Sequence, residues 1–432
     1  MEGYGRLLNN DSARVREQLA LLTIEKDDEG WDYADADTKT HTHGYHVYPA
    51  MMIPQVARRL IRLYGSQRGT LLDPFCGSGT SLVEARLAGM HAIGIDINPF
   101  AVFLARAKTH LFDTDLVVHE ARRLRQLFEA GEIQQAEPPR FFNIDYWFKP
   151  VVQVELATLR EAICTQIDPR VRDFFWVAFA HTVRECSNTR KGEYKLYRLP
   201  EQELASYQPQ VLPTFWEKLA RNLRGLVEFV ESADPNTKVD VLHGDIRHPQ
   251  PFEADSVDLI VTSPPYGDSQ TTVAYGQFSR LALQWLGLND QEVKKIDHRS
   301  LGGHLRSTQA SYYSETLDQV LEQIQVRDAK RSSQVKQFYD DFAECFPEIT
   351  RLARRRAYAC FVVGNRTVKG VRIPTDRILV EIASCFGWCY QTTYHRRIPN
   401  KRMPLRNSPS NKPGELCDTM TEEHIVILRK EA

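Results

Sequence analysis

The sequence predicts an α/β fold, a mainly parallel seven-stranded sheet wound with helices and interrupted by a largely helical insertion. Three observations lead there. First, Gly69-Thr70-Leu71-Leu72 reads as a turn entering a buried strand that closes on a glycine-bearing run, Asp73 to Thr80; a helix start at Ser81 to Ala85 and a second strand, His91 to Asp96, follow. Second, further strand candidates resume far downstream, at Val239 to Asp245, Val257 to Ser263, Tyr358 to Gly364, Trp388 to Tyr394 and His424 to Leu428. Third, residues 111–237 between these halves are much longer than an ordinary crossover and carry amphipathic helix patterns, such as Val152 to Ile163 and Phe174 to Val183.

Taken in order, residues 1–43 are polar and acidic and read as an N-terminal arm. Residues 44–110 form the first half of the sheet domain, in which Ile53, Val56, Leu60 and Leu63 recur at helical spacing before the first strand. Residues 111–237 read as a separate helical lobe, and 238–432 complete the sheet domain. Within that second half Thr375 can cap a helix whose Ile378, Leu379, Ile382 and Phe386 share one face. A polar excursion at about 287–335, containing Gly302, Gly303, His304 and Arg306, reads in its first half as a mobile loop beside the ligand site.

The whole-chain balance narrows the function. With 55 Lys+Arg against 56 Asp+Glu and a net charge of -1, the 432-residue chain lacks global basicity, so any nucleic-acid surface must be local. Eight cysteines without paired zinc-ribbon spacing suit a reducing compartment. His41, His43 and His46 lack a matching Cys or carboxylate cluster, so no metal is expected. The N-terminus does not read as a signal peptide, and no apolar run approaches spanning length; a cytoplasmic protein with no membrane partner is expected.

Two loops carry chemistry. Glycines directly after a strand let a ligand approach the backbone, and Asp96 ends the next strand 23 positions after Asp73, near the ~20-residue offset at which a carboxylate reaches ribose hydroxyls. The run Gly77-Ser78-Gly79-Thr80-Ser81-Leu82 lacks the third glycine of a nicotinamide-dinucleotide fingerprint, and no Gly-Lys-Ser/Thr follows, which disfavours a phosphate loop. Downstream, Thr262-Ser263-Pro264-Pro265-Tyr266 closes the strand Val257 to Val261. Together the two segments resemble the cofactor loop and catalytic loop of S-adenosylmethionine-dependent DNA amino-methyltransferases. The serine of Ser-Pro-Pro-Tyr, where adenine-modifying relatives more often carry Asp or Asn, resembles the cytosine-N4 enzymes.

That resemblance implies a Rossmann-like class I methyltransferase fold with S-adenosyl-L-methionine as cofactor. Asp73, Phe75, Gly77 and Gly79 would lie against its methionyl part, Asp96 would bind ribose, Ile97 would flank adenine, and Asp245 would accept from the adenine amino group. The segment Gly44 to Ala50 is similar to the part of the family that covers the cofactor carboxylate, which makes His46 and Tyr48 cofactor candidates. At the catalytic turn the Ser263 oxygen and the Pro264 carbonyl can each accept from an exocyclic amine, the prolines Pro264 and Pro265 fix the turn, and Tyr266 can stack on a flipped base. Asp268 and Ser269 position the base, close the pocket or cap a helix. A covalent route to cytosine carbon-5 needs the Pro-Cys motif of those enzymes, and the chain has no Pro-Cys dipeptide.

The implied partners are double-stranded DNA and a cognate restriction endonuclease, in a prokaryotic, nucleoid-associated setting. For DNA contact the candidates are Asn188, Arg190 and Lys191, within Ser187 to Lys195, and Arg396, Arg397, Lys401 and Arg402, within the basic stretch Tyr394 to Lys412; a solvated loop is the alternative at each. The rival readings are DNA adenine-N6 methylation, RNA guanine-N2 methylation, whose family shares a similar Asp-Pro-Phe-Cys-Gly-Ser-Gly run, and a non-catalytic DNA-binding protein.

Overall fold

The computed structural model describes residues 30–268, 273–306, 312–398, 406–407, 417–418 and 420–431. Its main sheet is built from β1 (Thr70–Asp73), β2 (His91–Asp96), β3 (Val239–His243), β4 (Val257–Thr262), β5 (Ala353–Val363), β6 (Trp388–Arg397) and β7 (Glu422–Lys430). Across the sheet these seven strands run β3-β2-β1-β4-β5-β7-β6. All neighbours through β5 pair in parallel, whereas β7 inserts antiparallel between β5 and β6. The expected α/β, mainly parallel sheet is therefore present. Its central strands are covered on both faces, which is why they read as unbroken apolar runs: Leu71, Leu72, Leu259, Ile260 and Val261 are all inaccessible to solvent. Chain order reverses between β1 and β4, and the crevice beyond the strand ends at such a point is where open α/β sheets bind ligands.

The helical insertion is confirmed in type and corrected in organisation. Helices Thr114–Glu129, Pro150–Gln166, Arg172–Cys186 and Val211–Ser232 do not close around a core of their own. One continuous apolar cluster joins Leu124, Leu156, Phe174 and Phe215 of the insertion to Phe100 and Leu104 of helix Pro99–Thr109 and to Phe278 and Leu281 of helix Tyr275–Trp285. Those two sheet-domain helices carry apolar faces that the insertion covers, so the expected separate lobe is a layer of the same body.

Three local expectations change as well. The first half of the 287–335 excursion is not a loop: Asp290–Arg299 is a helix that starts with a capping box between Asn289 and Glu292 and buries Val293 and Ile296. The Asn-x-x-Glu spacing was a legible start signal. Thr375 is the first residue of helix Thr375–Ser384 and makes no cap; its hydroxyl pairs with that of Tyr339 at 3.1 Å. The part of the N-terminal arm that is described is packed down. Trp31 is buried beneath the Arg59 guanidinium, 4.2 Å from its ring, and leans on Tyr394. Among the described residues no helix is long and apolar enough to cross a membrane.

Gly79 begins helix Thr80–Leu87 with φ of +84°, and a Cβ there would stand 2.9 Å from Ala105 Cβ. Its need for glycine comes from this helix contact and its left-handed backbone. Gly79→Ala should accordingly lower stability by ~2 kcal/mol, read as an earlier urea midpoint with an unchanged slope.

Candidate active site

The two chemical loops lie side by side because β1 and β4 are hydrogen-bonded neighbours, with Leu72 opposite Ile260. Asp73, the last residue of β1, then bridges three elements. Its Oδ1 accepts from Thr262 Oγ1 at 2.6 Å and from the Phe75 amide at 3.1 Å, and its Oδ2 accepts from the Ser81 hydroxyl. Burial pushes its pKa up to about 6, against the pull of those three donors. Asp96, at the end of β2, accepts from the Gly77 amide at 2.9 Å and the Asn98 amide at 2.8 Å. Burial, with the Asp73 charge nearby, also pushes it up to about 6.

These strand ends floor a cleft enclosing about 930 Å³, its open mouth included. Of the residues singled out from the sequence, Tyr48, Asp73, Phe75, Gly77, Asp96, Ile97, Asp245, Ser263 and Pro265 line it. Gly77, with φ of +49°, turns its open side to the cleft: a Cβ there would meet nothing nearer than Tyr48 Cε1 at 3.4 Å. Asp245 is held by Arg247, whose Nε and Nη2 reach its carboxylate at 2.9 and 2.6 Å. Burial opposes its ionisation, but these bonds and the arginine charge prevail and lower its pKa.

The remaining candidates sit elsewhere. His46 is buried among Phe100, His181 and Phe278, with Nδ1 on the Val47 carbonyl, and burial lowers its pKa to about 3; it is a neutral packing residue away from the cleft. Gly79 faces Ala105. Pro264 is buried and is not among the residues lining the cleft. Tyr266 stands one layer back from Ser263: the Ser263 hydroxyl donates to the Tyr266 oxygen at 3.1 Å, and the Tyr266 hydroxyl donates to Glu423 Oε1 at 2.9 Å. Gly364, just past β5, makes room for Met420 and for that ring, since a Cβ would overlap Met420 Sδ and lie 3.0 Å from Tyr266 Cδ2. Asp268 neither lines the cleft nor caps a helix. It is buried between Arg331 at 2.9 Å and Arg366 at 3.2 Å, which tie the prolyl loop to helix Ala329–Ala343. Ser269 lies outside the described residues.

Several residues escaped the sequence reading. Asn98 accepts from the Phe100 amide as a helix cap and donates to Tyr48 Oη at 3.1 Å and Ser279 Oγ at 2.8 Å, binding β2, the Tyr48 segment and helix Tyr275–Trp285 together. Asn-Pro after a strand was the available signal. Tyr275 stacks on Tyr48 with centroids 5.9 Å apart, and Ile296, Arg299 and Leu301 wall the cleft from the second excursion. Behind the glycine loop Lys108 is fully buried, donates to Ser78 Oγ at 3.2 Å, and is lowered to about 7 by burial. No local pattern marks Tyr275, Ile296, Arg299, Leu301 or Lys108, since they matter only through distant neighbours.

Three of the seven expected DNA-contact residues are engaged within the protein, and a fourth is paired at its surface. Asn188 is buried and donates to the Tyr146 carbonyl, and Lys191 Nζ caps the end of helix Arg172–Cys186 through the Arg184 and Ser187 carbonyls at 2.7 and 2.6 Å. Arg396 is buried, paired with Glu423 and bonded to the Trp31 carbonyl. Arg397 is exposed but paired with Asp32 at 2.8 Å. Arg190 is exposed. Lys401 and Arg402 lie outside the described residues. A buried or paired cation has already given up its hydration to a protein partner, so it is poorly placed to exchange it for phosphate.

A profile of the family described as DNA methylase matches residues 21–106. The Type II methyltransferase M.MvaI of Kocuria varians is 38% identical over 448 aligned residues, spanning 98% of this chain and 98% of that protein. M.BsoBI of Geobacillus stearothermophilus, likewise a Type II methyltransferase, is 22% identical over 412 residues, 82% of this chain and 80% of that protein. A tRNA (guanine(10)-N2)-dimethyltransferase of Methanothermobacter thermautotrophicus is 36% identical, but over 96 residues that make up 21% of this chain and 28% of that protein. With 38% identity to M.MvaI spread over nearly the whole chain, and with both loops joined at the ends of one mainly parallel sheet, the chain belongs to the S-adenosylmethionine-dependent DNA amino-methyltransferases.

Proposed function

We propose that the enzyme methylates the N4 amine of cytosines flipped out of double-stranded DNA, as the modification partner of a restriction endonuclease. The observation that carries the reading is Ser263: an uncharged side chain lines the cleft at the position where an adenine-modifying relative more often presents a carboxylate or amide. Support for the DNA setting comes from the two relatives named Type II methyltransferases, which match most of this chain, whereas the tRNA-modifying relative matches about a fifth of it. The cytoplasmic, nucleoid-associated location follows from that setting.

The cleft suits the cofactor. In this reading Asp245 and Ile97 meet the purine, Asp96 the ribose hydroxyls, and Gly77, Phe75 and Asp73 the methionyl part; all six line the cleft, and the absence of a Cβ at Gly77 leaves room. Tyr48, held by Asn98, lines the same cleft. When bound, S-adenosylmethionine supplies an electrophilic methyl group on a sulfonium. The cytosine amine is a poor nucleophile because its lone pair is delocalised into the ring. Ser263 Oγ and the Pro264 carbonyl draw its protons and hold the nitrogen toward tetrahedral geometry, while the rigid prolyl turn sets their direction. Extruding the base costs a few kcal/mol, to be offset in part by contacts to its edge at the turn. Arg190, with the helical insertion behind it, is the proposed contact to the DNA backbone or target edge.

Mass spectrometry of nucleosides from DNA and RNA of expressing cells tests the reading: N4-methylcytosine in DNA is expected, and N6-methyladenine or methylguanosine in its place would replace it by a rival. Ser263→Ala should lower kcat on the order of 100-fold while leaving the S-adenosylmethionine Kd within about twofold; loss of cofactor binding instead would move Ser263 out of the transfer step.

Asp96 gives a pH test. If its ionised carboxylate accepts from ribose, cofactor affinity is fully present above its folded pKa of about 6 and is lost as pH falls through that value. Isothermal titration should show Kd rising by up to about tenfold per pH unit below it. Asp96→Asn should flatten the profile even though Asp73, also near 6, still titrates.

A further inference from the structure

Behind the catalytic turn runs a hydrogen-bonded line that leaves the cleft and ends on the far strands of the sheet. Ser263 Oγ donates to Tyr266 Oη at 3.1 Å, and Tyr266 Oη donates to Glu423 Oε1 at 2.9 Å. The other oxygen of Glu423, at the start of β7, is paired with Arg396 of β6. Arg396 is itself anchored by its bond to the Trp31 carbonyl at 3.1 Å.

The direction of this line is set by chemistry. A carboxylate can only accept, so the tyrosine hydroxyl must donate to it and is left with lone pairs that accept from serine. Burial, together with the Glu423 charge, holds the Tyr266 phenol well above its ordinary pKa, so it remains a donor. The single Ser263 proton is thereby drawn away from the cleft, and both serine lone pairs are left to face whatever occupies it. A serine poised in this way welcomes an amine, which donates, and has no proton to offer a carbonyl at the same ring position.

We propose that Glu423, held by Arg396, is a positioning residue that acts through Tyr266 to fix Ser263 as an acceptor, and that it receives the proton shed by the target amine. The proposal rests on the amine-transfer reading above. As the amine nitrogen bonds the methyl carbon, the carbon–sulfur bond breaks and sulfur keeps its electron pair, leaving the extra positive charge on nitrogen. That nitrogen then releases one proton to Ser263 Oγ, the serine proton passes to Tyr266, and the tyrosine proton passes to Glu423, which ends neutral. No other acid or base is consumed. The same geometry explains why a buried arginine sits in a stretch that otherwise reads as a basic loop: its pairing holds the Glu423 carboxylate aimed at Tyr266.

The test is single-turnover methylation of unmodified genomic DNA by the full-length enzyme and three variants, Glu423→Gln, Tyr266→Phe and the double substitution. Glutamine keeps the size and an accepting oxygen but cannot take a proton, and Tyr266→Phe leaves the Glu423–Arg396 pair intact should the first variant fail to fold. Each single variant should lose on the order of 10- to 100-fold in rate, as removal of a proton-transfer group does, with S-adenosylmethionine Kd unchanged. The double variant should be no slower than the worse single, because the groups act as one unit. The solvent deuterium effect on the wild-type rate should shrink in all three. Wild-type rate in Glu423→Gln, or losses that multiply in the double variant, would overturn the relay. Nucleoside analysis of the wild-type product keeps the two proposals apart: without N4-methylcytosine the substrate reading fails, whereas N4-methylcytosine made at full rate by Glu423→Gln sinks the relay alone.

Discussion

The hydrogen bonds of one buried carboxylate organise this protein. Asp73 joins the end of β1 to the end of β4 through Thr262 and to the first turn of helix Thr80–Leu87 through Ser81. Thr262 immediately precedes Ser263, so the distance between the glycine bend and the prolyl turn is set by a 2.6 Å bond between adjacent strands and not by either loop's own flexibility. Burial makes the arrangement costly, as the raised pKa of Asp73 records. Three donors spread over both carboxylate oxygens offset that cost. Asp96 repeats the device one strand over by fixing the Gly77 amide.

Around that centre, charged side chains act mostly as struts. Asp268 is clamped by Arg331 and Arg366 and ties the prolyl loop to helix Ala329–Ala343. Arg247 spans Asp245, Asp341 and the Arg299 carbonyl, joining the Asp245 side of the cleft to the segment that walls it. Arg396 ties Glu423 to the N-terminal segment at Trp31. Each pair has a partner on a distant part of the chain, so each aligns loops that sequence neighbours alone would leave independent. The near-neutral net charge fits this use, because much of the cationic charge close to the cleft is spent inside the protein.

The helical insertion completes the site from the other side. Its core is continuous with helices Pro99–Thr109 and Tyr275–Trp285, whose first turns carry the Asn98 cap and Tyr275 beside the cleft. Packing the insertion therefore presses on the elements that hold Tyr48 and the cofactor end of the pocket. A close-packed core transmits such constraints because it has little void to absorb them.

Sequence by itself determined the sheet, its mainly parallel sense, the two loops and their cofactor chemistry. Those follow from local signals: apolar runs of strand length, glycines after a strand, a carboxylate at a fixed offset, prolines that restrict a turn. Asp73, Gly77, Asp96 and Ser263 could be singled out because residue type and position within one element already mark them, and the fold brings all four to one cleft. Tertiary structure alone decided that Gly79 serves Ala105, that His46 is a neutral core ring, that Asn188, Lys191 and Arg396 are scaffold, and that Glu423 stands behind Ser263. Their roles depend on which partner lies across tens or hundreds of residues. Whether a polar group meets water, a ligand or a buried counter-charge is set by that partner, and no short-range pattern encodes it.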